Sequence, residues 1–535
     1  MILHPFQDDI ISDCQLKKSG GLSIPMGSGK TIISLNIALK NKKENKPILI
    51  IASKTLVSSW EQEIKKWYPD TSYNTLNLND NILLSDIFII TTPTTLVKYY
   101  KQYNVQSKLI YKQRDNPFGP EISYYHDVNK PLCSLEYPTF YAVNFSTLIV
   151  DEAHNYMNIE TLTCRAISSI CSDYKWLLSG TLFSEPKPSN ILGFLRMCNA
   201  YMPNYPDNLP LLKRLIQIGK FRGIGNTIVS RNDNEMFINR PKITKTIVKY
   251  EMNEFEKKVY QVYKMFISQI SRKLSVYKMA KNKEQVKHLN ATLLGMITKL
   301  RLCMISPILP LSRLYIQNID NGNADDIYKV VQETLETNGI SKYLELEESL
   351  ESTRIKKIIE SINNHKDERI LVFSSFRMTL DYLHMIIKKN KINRMVFTID
   401  ANMSVSKREK VIEEYSQSNA GILLMTYTIG CEGLNLQSAS VAIIMDVWWN
   451  EAKSRQAIAR VYRYGQKQNI SVYIFISNTY IEHCMFDKHN SKANIANEIL
   501  TGEITTKVKS ISLQKIVDIL LQGDFDDNII MRSIN

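Results

Sequence analysis

The sequence predicts an α/β fold: two parallel-sheet lobes with helical insertions between them. Three observations carry this. Short apolar runs of strand length recur between helical patterns, at 47–53, 86–92, 147–151 and 175–180, then at 369–374, 395–399, 421–427, 441–446 and 471–477. Most end in Ser, Thr, Asp or Gly, and strands alternating with helices imply parallel sheets covered on both faces. The runs form two groups, and from about 190 to 361 helical patterns dominate, 254–273 and 285–303 being long examples.

These patterns set the expected boundaries. Residues 1–240 form a first lobe, 241–345 a helical linker or protrusion, 346–490 a second lobe and 491–535 a helical extension. The Asn-, Asp- and Gly-rich stretch 318–326 reads as a loop. A Tyr-rich segment, 99–141, interrupts the first lobe without periodicity and reads as an insertion with no function assigned.

Composition narrows the class. The chain has 535 residues, 44% hydrophobic and 22% charged, a globular profile with ample core. No apolar run approaches the roughly 18 residues of a membrane span. The N-terminus lacks the basic and apolar regions of a signal peptide, so an intracellular protein with no membrane partner is expected. Eight cysteines occur without a CxxC pair, against a disulfide framework or zinc ribbon. His483, Cys484 and His489 read as helix surface, since no ligand pair of suitable spacing stands nearby. The net charge of +14 favours a polyanionic partner. Clusters such as Lys40/Lys42/Lys43 equally serve to keep helix ends soluble.

Chemistry begins at Pro25-Met26-Gly27-Ser28-Gly29-Lys30-Thr31, followed by a breaker-poor helical pattern. Gly27 and Gly29 let the backbone curl so that N–H groups and the helix N-terminus face phosphate. Lys30 then reaches the β/γ-phosphates and the Thr31 hydroxyl holds Mg²⁺. Ile24 stands where the strict pattern has glycine.

At 147–152 an apolar run ends in Asp151-Glu152, followed by Ala153-His154. Parallel sheets place ligands at the C-terminal ends of their strands. There Asp151 suits Mg²⁺ and Glu152 suits a water to be polarised; helix capping is the bland alternative. Gln456, Arg460 and Arg463 lie at helical offsets of zero, four and seven, on one face. Guanidiniums on one stripe match phosphate oxygens. The alternative is a solvated basic helix.

Together these strings resemble the Swi/Snf-like branch of the superfamily-two nucleic-acid ATPases, in a compact form like those of large DNA viruses. Leu3-His4-Pro5-Phe6-Gln7 resembles the entry motif. Ser53-Lys54-Thr55-Leu56-Val57-Ser58-Ser59-Trp60 resembles motif Ia, and Ser179-Gly180-Thr181 motif III. In the second half, Leu371-Val372-Phe373-Ser374-Ser375-Phe376 resembles motif IV and Gly430-Cys431-Glu432-Gly433-Leu434-Asn435 motif V. The most discriminating match is Asp446-Val447-Trp448-Trp449-Asn450 followed by Gln456 to Gln466. Leu300-Arg301-Leu302-Cys303 resembles the helix that links the lobes. The likeness covers about residues 1–485, in the family's order.

The resemblance implies two RecA-like lobes and a DNA-dependent ATPase with a DEAH box, using ATP and Mg²⁺. It implies that Gln7 contacts adenine and that Pro25, Met26, Gly27, Ser28, Gly29, Lys30, Thr31 and Gln456 bind nucleotide. Asp151 and Glu152 serve metal and water; His154, Ser179, Thr181 and Gly433 couple; Arg460 and Arg463 are arginine fingers, a class worth roughly 10³–10⁵ in rate. The implied backbone contacts to double-stranded DNA are Lys54, Thr55, Thr92, Thr95, Ser375, Arg377, Thr426 and Trp449, each Ser or Thr having a local cap or turn as its alternative. Trp60 and Trp67, at helical spacing with Ile64, read as core.

Departures occur at Leu182-Phe183-Ser184-Glu185-Pro186 after motif III, at 427–430, and at Asp400-Ala401. The expected activity is translocation along duplex DNA that remodels or displaces bound proteins, in the nucleus, a viral replication site or a virion. Three alternatives stay open: a transcription-linked nucleoside triphosphatase acting on RNA polymerase or transcript, a strand-separating helicase, and a nucleotide-binding scaffold without turnover.

Overall fold

The computed structural model describes residues 3–17, 19–25, 27–77, 85–101, 140–141, 143–198, 209–217, 224–231, 241–310, 351–430, 434, 436–447, 451–462, 466–501 and 513–521. They form two compact units. Residues 1–240 group with 491–509, and 241–490 with 510–535. The loop expected at 318–326 and nearly all of the Tyr-rich stretch lie outside the described residues.

The first unit is built on β1 (Ser19–Ser23), β2 (Ile48–Ile51), β3 (Tyr73–Thr75), β4 (Phe88–Thr91), β5 (Phe145–Val150), β6 (Ser172–Ser179) and β7 (Ile228–Ser230). Their order is β3-β4-β2-β5-β6-β1-β7, and every pair is parallel. β2, β4 and β5 are buried along their whole length, as a sheet covered on both faces requires. Alternate residues feed opposite cores. Leu49, Ile51, Ile89 and Leu148 pack on one side, while Ile48, Ile50, Ile90 and Ile149 pack on the other with Trp60 and Ile64.

β1 has no apolar run, yet it lies between β6 and β7. Its glycines are there for close approach. A Cβ on Gly20 would sit 2.3 Å from the Thr227 carbonyl oxygen, and one on Gly21 2.5 Å from Leu182 Cδ2.

The second unit holds β8 (Ile243–Tyr250), β9 (Ile370–Ser374), β10 (Val396–Thr398), β11 (Ile422–Thr426), β12 (Val441–Ile444) and β13 (Ile470–Ser477). Their order is β10-β11-β9-β12-β13-β8, again parallel throughout. β8 is one edge of this sheet, and its burial pattern alternates poorly because Lys245, Thr246 and Lys249 face water.

Two long antiparallel helices, Glu254–Met279 and Lys283–Ile305, follow β8. The first opens on a capping box: Asn253 Oδ1 accepts from Glu256 N at 2.8 Å and Glu256 Oε2 accepts from Asn253 N at 2.8 Å. Their apolar stripe, including Tyr263, Phe266, Leu293 and Ile297, shares a core with Ile370 and Val372 of β9. The described part of 241–345 therefore packs as part of the second unit. The residues after 490 divide: Ile495 and Ile499 join a core of the first unit, and Val517 and Leu520 join the second.

A buried ion pair ties the second unit together. Arg354 and Glu482 are each 1% exposed and bonded to one another. Arg354 also donates to the Met445 carbonyl at 2.9 Å and to the Tyr250 hydroxyl, and Ser477 donates to Glu482 through both N–H and Oγ. None of the described cysteines Cys14, Cys164, Cys171, Cys198, Cys303 and Cys484 is in a disulfide. Among the described residues no helix is long and apolar enough to cross a membrane.

Candidate active site

β1 runs into the loop before the helix Lys30–Lys40. The loop turns because Gly27 and Gly29 take φ of 81° and 79°, a left-handed conformation that costs glycine nothing. Gly29 caps the helix, so its first N–H groups open toward the loop. Lys30 Nζ lies against the loop, donating to the Ile24 and Pro25 carbonyls at 3.4 and 3.3 Å. Ser28 is buried and its hydroxyl donates to the Pro25 carbonyl. Thr31 is half-buried in the first turn.

Gln7 comes from the helix Pro5–Gln15 and is 6% exposed. Its Nε2 donates to the Ser28 carbonyl at 3.2 Å, and its Oε1 accepts from His4 N at 3.0 Å. A Cβ on Gly29 would meet Gln7 Nε2 at 2.6 Å. Gln7 is thus docked on the glycine loop, and glycine at 29 makes room for it.

Asp151 follows the end of β5, two strands from β1. Its Oδ2 accepts from Trp60 Nε1 at 2.9 Å, and its Oδ1 accepts from Glu152 N at 2.9 Å. Burial pushes this carboxyl above the ordinary range, and the Glu152 charge adds to the rise; the Trp60 hydrogen bond and the Lys30 charge pull it back. The lysine of the loop and the acid of β5 therefore feel one another. Burial, with Asp151 and Glu152 adding, raises the Tyr156 hydroxyl to about 12.

Glu152 has φ 45° and ψ 45°, left-handed for a residue with a side chain. Such a backbone is held only where its surroundings insist on it. Its Oε2 lies 3.3 Å from His154 Nδ1, which is 2.9 Å from the buried Ser179 Oγ. Ser179 Oγ also accepts from Thr181 N at 3.0 Å. A continuous polar path thus joins Glu152, His154, Ser179 and Thr181.

This arrangement suits phosphoryl chemistry: an anion cradle with a lysine, a hydroxyl and, across from them, a carboxylate pair. Each Asp151 oxygen has one donor and retains acceptor capacity, and hard oxygen ligands fit Mg²⁺, which keeps several waters. Among the described residues no group of three or more His, Cys, Asp or Glu could hold a metal by itself.

In the second unit Gln456 and Arg460 lie on the helix Glu451–Val461, each 6% exposed. Ala457 and Val461 beside them are fully buried in a core with Phe373 and Ile444. A solvated basic face does not describe these two residues. Met26, Gly433, Trp449 and Arg463 lie outside the described residues.

The expected DNA contacts divide between the two units. Lys54 and Thr55 are exposed, with Thr55 Oγ1 3.0 Å from Ser53 Oγ. Thr92 Oγ1 accepts from Thr95 N at 3.2 Å, a helix cap. Thr426 is half-buried at the end of β11. Arg377 Nε donates to Asp381 at 2.8 Å and its guanidinium pairs with Asp400.

Ser375 donates through N–H and Oγ to Asp446, which also accepts from Ser374 Oγ. Arg301, stacked over Phe376 at 4.5 Å, donates to Ser375 Oγ at 3.1 Å and lies 3.8 Å from Asp446 Oδ1. Burial lowers the Arg301 guanidinium to about 10. Sequence reasoning missed this hub, and it missed the Trp60 contact to Asp151. The one signal was that a buried indole N–H needs a partner.

Residues 11–309, more than half of the chain, match the model of the SNF2-related domain. The chain belongs to the SNF2-related family. Residues 353–465 match the helicase conserved C-terminal domain, so the chain is a DNA-dependent ATPase of helicase superfamily two. A putative helicase, 172L, of Invertebrate iridescent virus 6 is 24% identical over 93% of this chain and 88% of its own length. Protein CHROMATIN REMODELING 25 of Arabidopsis thaliana is 25% identical over 89% of this chain and 52% of its own. The DNA repair and recombination protein RAD54-like of Drosophila yakuba is 22% identical over 93% and 63%. The chain thus spans between half and two thirds of the length of these two cellular relatives. The Sulfolobus solfataricus SWI2/SNF2 ATPase core in complex with dsDNA aligns over 98% of this chain and 97% of its own, with 19% identity and a TM-score of 0.36.

Proposed function

We propose that this protein hydrolyses ATP with Mg²⁺ to move along double-stranded DNA and remodel or displace the proteins bound there. One observation carries the reading. The path Glu152–His154–Ser179–Thr181 joins the acid that would polarise water to the loop after β6. A connection of this kind lets the state of the nucleotide reach the loop after β6.

Within this reading Gly27, Gly29 and Lys30 bind the phosphates, Thr31 and Asp151 hold Mg²⁺, and Gln7 reads the base. Mg²⁺ when bound supplies charge to the transferring phosphoryl oxygens. Glu152 orients the attacking water and accepts its proton. Arg460 and Arg463 add positive charge to the transition state. The proposed contacts to the DNA backbone are Lys54, Thr55, Thr92 and Thr95 in the first unit, and Ser375, Arg377, Thr426 and Trp449 in the second. Grip on phosphates is blind to sequence and weakens with salt. The setting follows the substrate: a nucleus or a viral replication site.

The test is a steady-state ATPase assay beside triplex displacement and duplex unwinding. Strong stimulation by duplex DNA, with triplex displacement and no unwinding, is the expected result. Stimulation by RNA or single strands instead would move the reading to a transcription-linked triphosphatase. Absence of turnover on every nucleic acid would reduce the site to a scaffold.

A further inference from the structure

We infer that Trp60 is a positioning residue for the nucleotide reaction: its indole N–H fixes the Asp151 carboxylate in the orientation from which that group receives the metal. The inference rests on the reading of Asp151 as a Mg²⁺ residue given above.

Trp60 lies on the helix Val57–Trp67, which follows β2, the strand paired with β5 through Ile51 and Val150. At 2% exposure it fills the core beside Ile64, Ile50 and Ile149. Packing explains the ring but not the direction of its nitrogen. An indole has a single donor, and this one reaches across 91 residues of sequence to Asp151 Oδ2 at 2.9 Å. The Glu152 N–H takes the other oxygen at 2.9 Å. One donor on each oxygen fixes both the plane and the tilt of a carboxylate that could otherwise rotate. Hydrogen bonds to an ionised acceptor are roughly twice as strong as neutral ones. A ring held rigidly in a core is a better anchor than a mobile surface side chain. Outer-shell donors of this kind typically change metal affinity by about 10–100-fold when removed.

The decisive variant removes the N–H and keeps the ring: β-(3-benzothienyl)alanine placed at 60 in the full chain, beside Trp60→Phe. At saturating ATP the Mg²⁺ concentration for half-maximal ATPase is expected to rise about 10-fold or more, with the KM for ATP changed far less. A purely structural role would lower the melting temperature and leave the Mg²⁺ dependence alone. A second measurement needs neither nucleotide nor turnover. In protein labelled with ¹⁵N at its five tryptophans, the indole signal that Trp60→Phe removes should shift in Asp151→Asn. Unchanged Mg²⁺ dependence in the benzothienyl variant, or an unmoved Trp60 signal in Asp151→Asn, overturns the inference. Were the wild-type chain to show no Mg²⁺-dependent ATPase, the proposed function would fail, and the indole signal would still report whether the bond exists.

Discussion

Each unit carries a buried or half-buried aspartate just past the end of a central strand, Asp151 after β5 and Asp446 after β12. They are surrounded very differently. Asp446 accepts from two serine hydroxyls and a backbone N–H, with the Arg301 guanidinium 3.8 Å away. Its charge is answered within its own unit. Asp151 has one indole and one backbone donor, with a second carboxylate next to it, and burial raises its pKa. The same place in a parallel sheet thus holds a saturated acid in one unit and, in the other, an acid with acceptor capacity to spare. A group held at an energetic disadvantage is a candidate for function.

The largest expected effects pull the two regions apart. Glu152→Gln should lower turnover by roughly 10²–10⁴-fold, the range for loss of a general base, while urea stability falls by no more than about 1 kcal/mol, the size of one lost polar contact. Asp446→Ala should do the reverse first, costing about 3–5 kcal/mol because a buried guanidinium loses its counter-charge. Chemical denaturation of both variants checks the contrast. If Glu152→Gln unfolds the chain, or Asp446→Ala leaves the midpoint in place, the two aspartates do not differ as described.

A smaller effect tests the cost of burying a charge. Lys175 is 1% exposed, and burial lowers its pKa from 10.5 to about 8. Between those values the unfolded chain binds more protons than the folded one, so folding stability rises with pH. Against Lys175→Met, wild-type stability should gain on the order of 3 kcal/mol from pH 8 to 10.5. A flat difference across that window would show that the lysine stays charged in the fold.

The smallest prediction concerns the left-handed backbone at Glu152. Glu152→Gly should be more stable than Glu152→Ala by about 1 kcal/mol, because only glycine takes that conformation without steric cost. Equal midpoints for the two variants would mean that the turn relaxes once the carboxylate is gone.

Much of this architecture was legible because parallel strands buried on both faces read as continuous apolar runs. β2, β4, β5, β9 and β12 are of that kind. β1 was not legible, since Gly20 and Gly21 answer to the neighbours' closeness and not to hydrophobicity. β8 was hidden by its exposed lysines and threonines, as an edge strand allows. At the site, the glycine loop and the acid pair are contiguous in sequence and could be read directly. The Trp60–Asp151 and Arg301–Ser375 contacts span 91 and 74 residues and exist only once the sheets have formed. The buried state of Arg460 could not be read either: its helical offsets fit a wet face as well as a dry one.

The pairing of β8 with β13 has a practical consequence for anyone dividing this molecule. The segment matching a helicase C-terminal domain begins at 353, but the sheet it belongs to is completed by residues 243–250. A fragment starting at 353 would bare the whole backbone edge of β13 and half of an oily interior. One starting at 241 would keep that edge covered. Because Ile495 and Ile499 serve the opposite unit, no single cut yields two intact pieces, and a soluble half must be designed with its borrowed helix in mind.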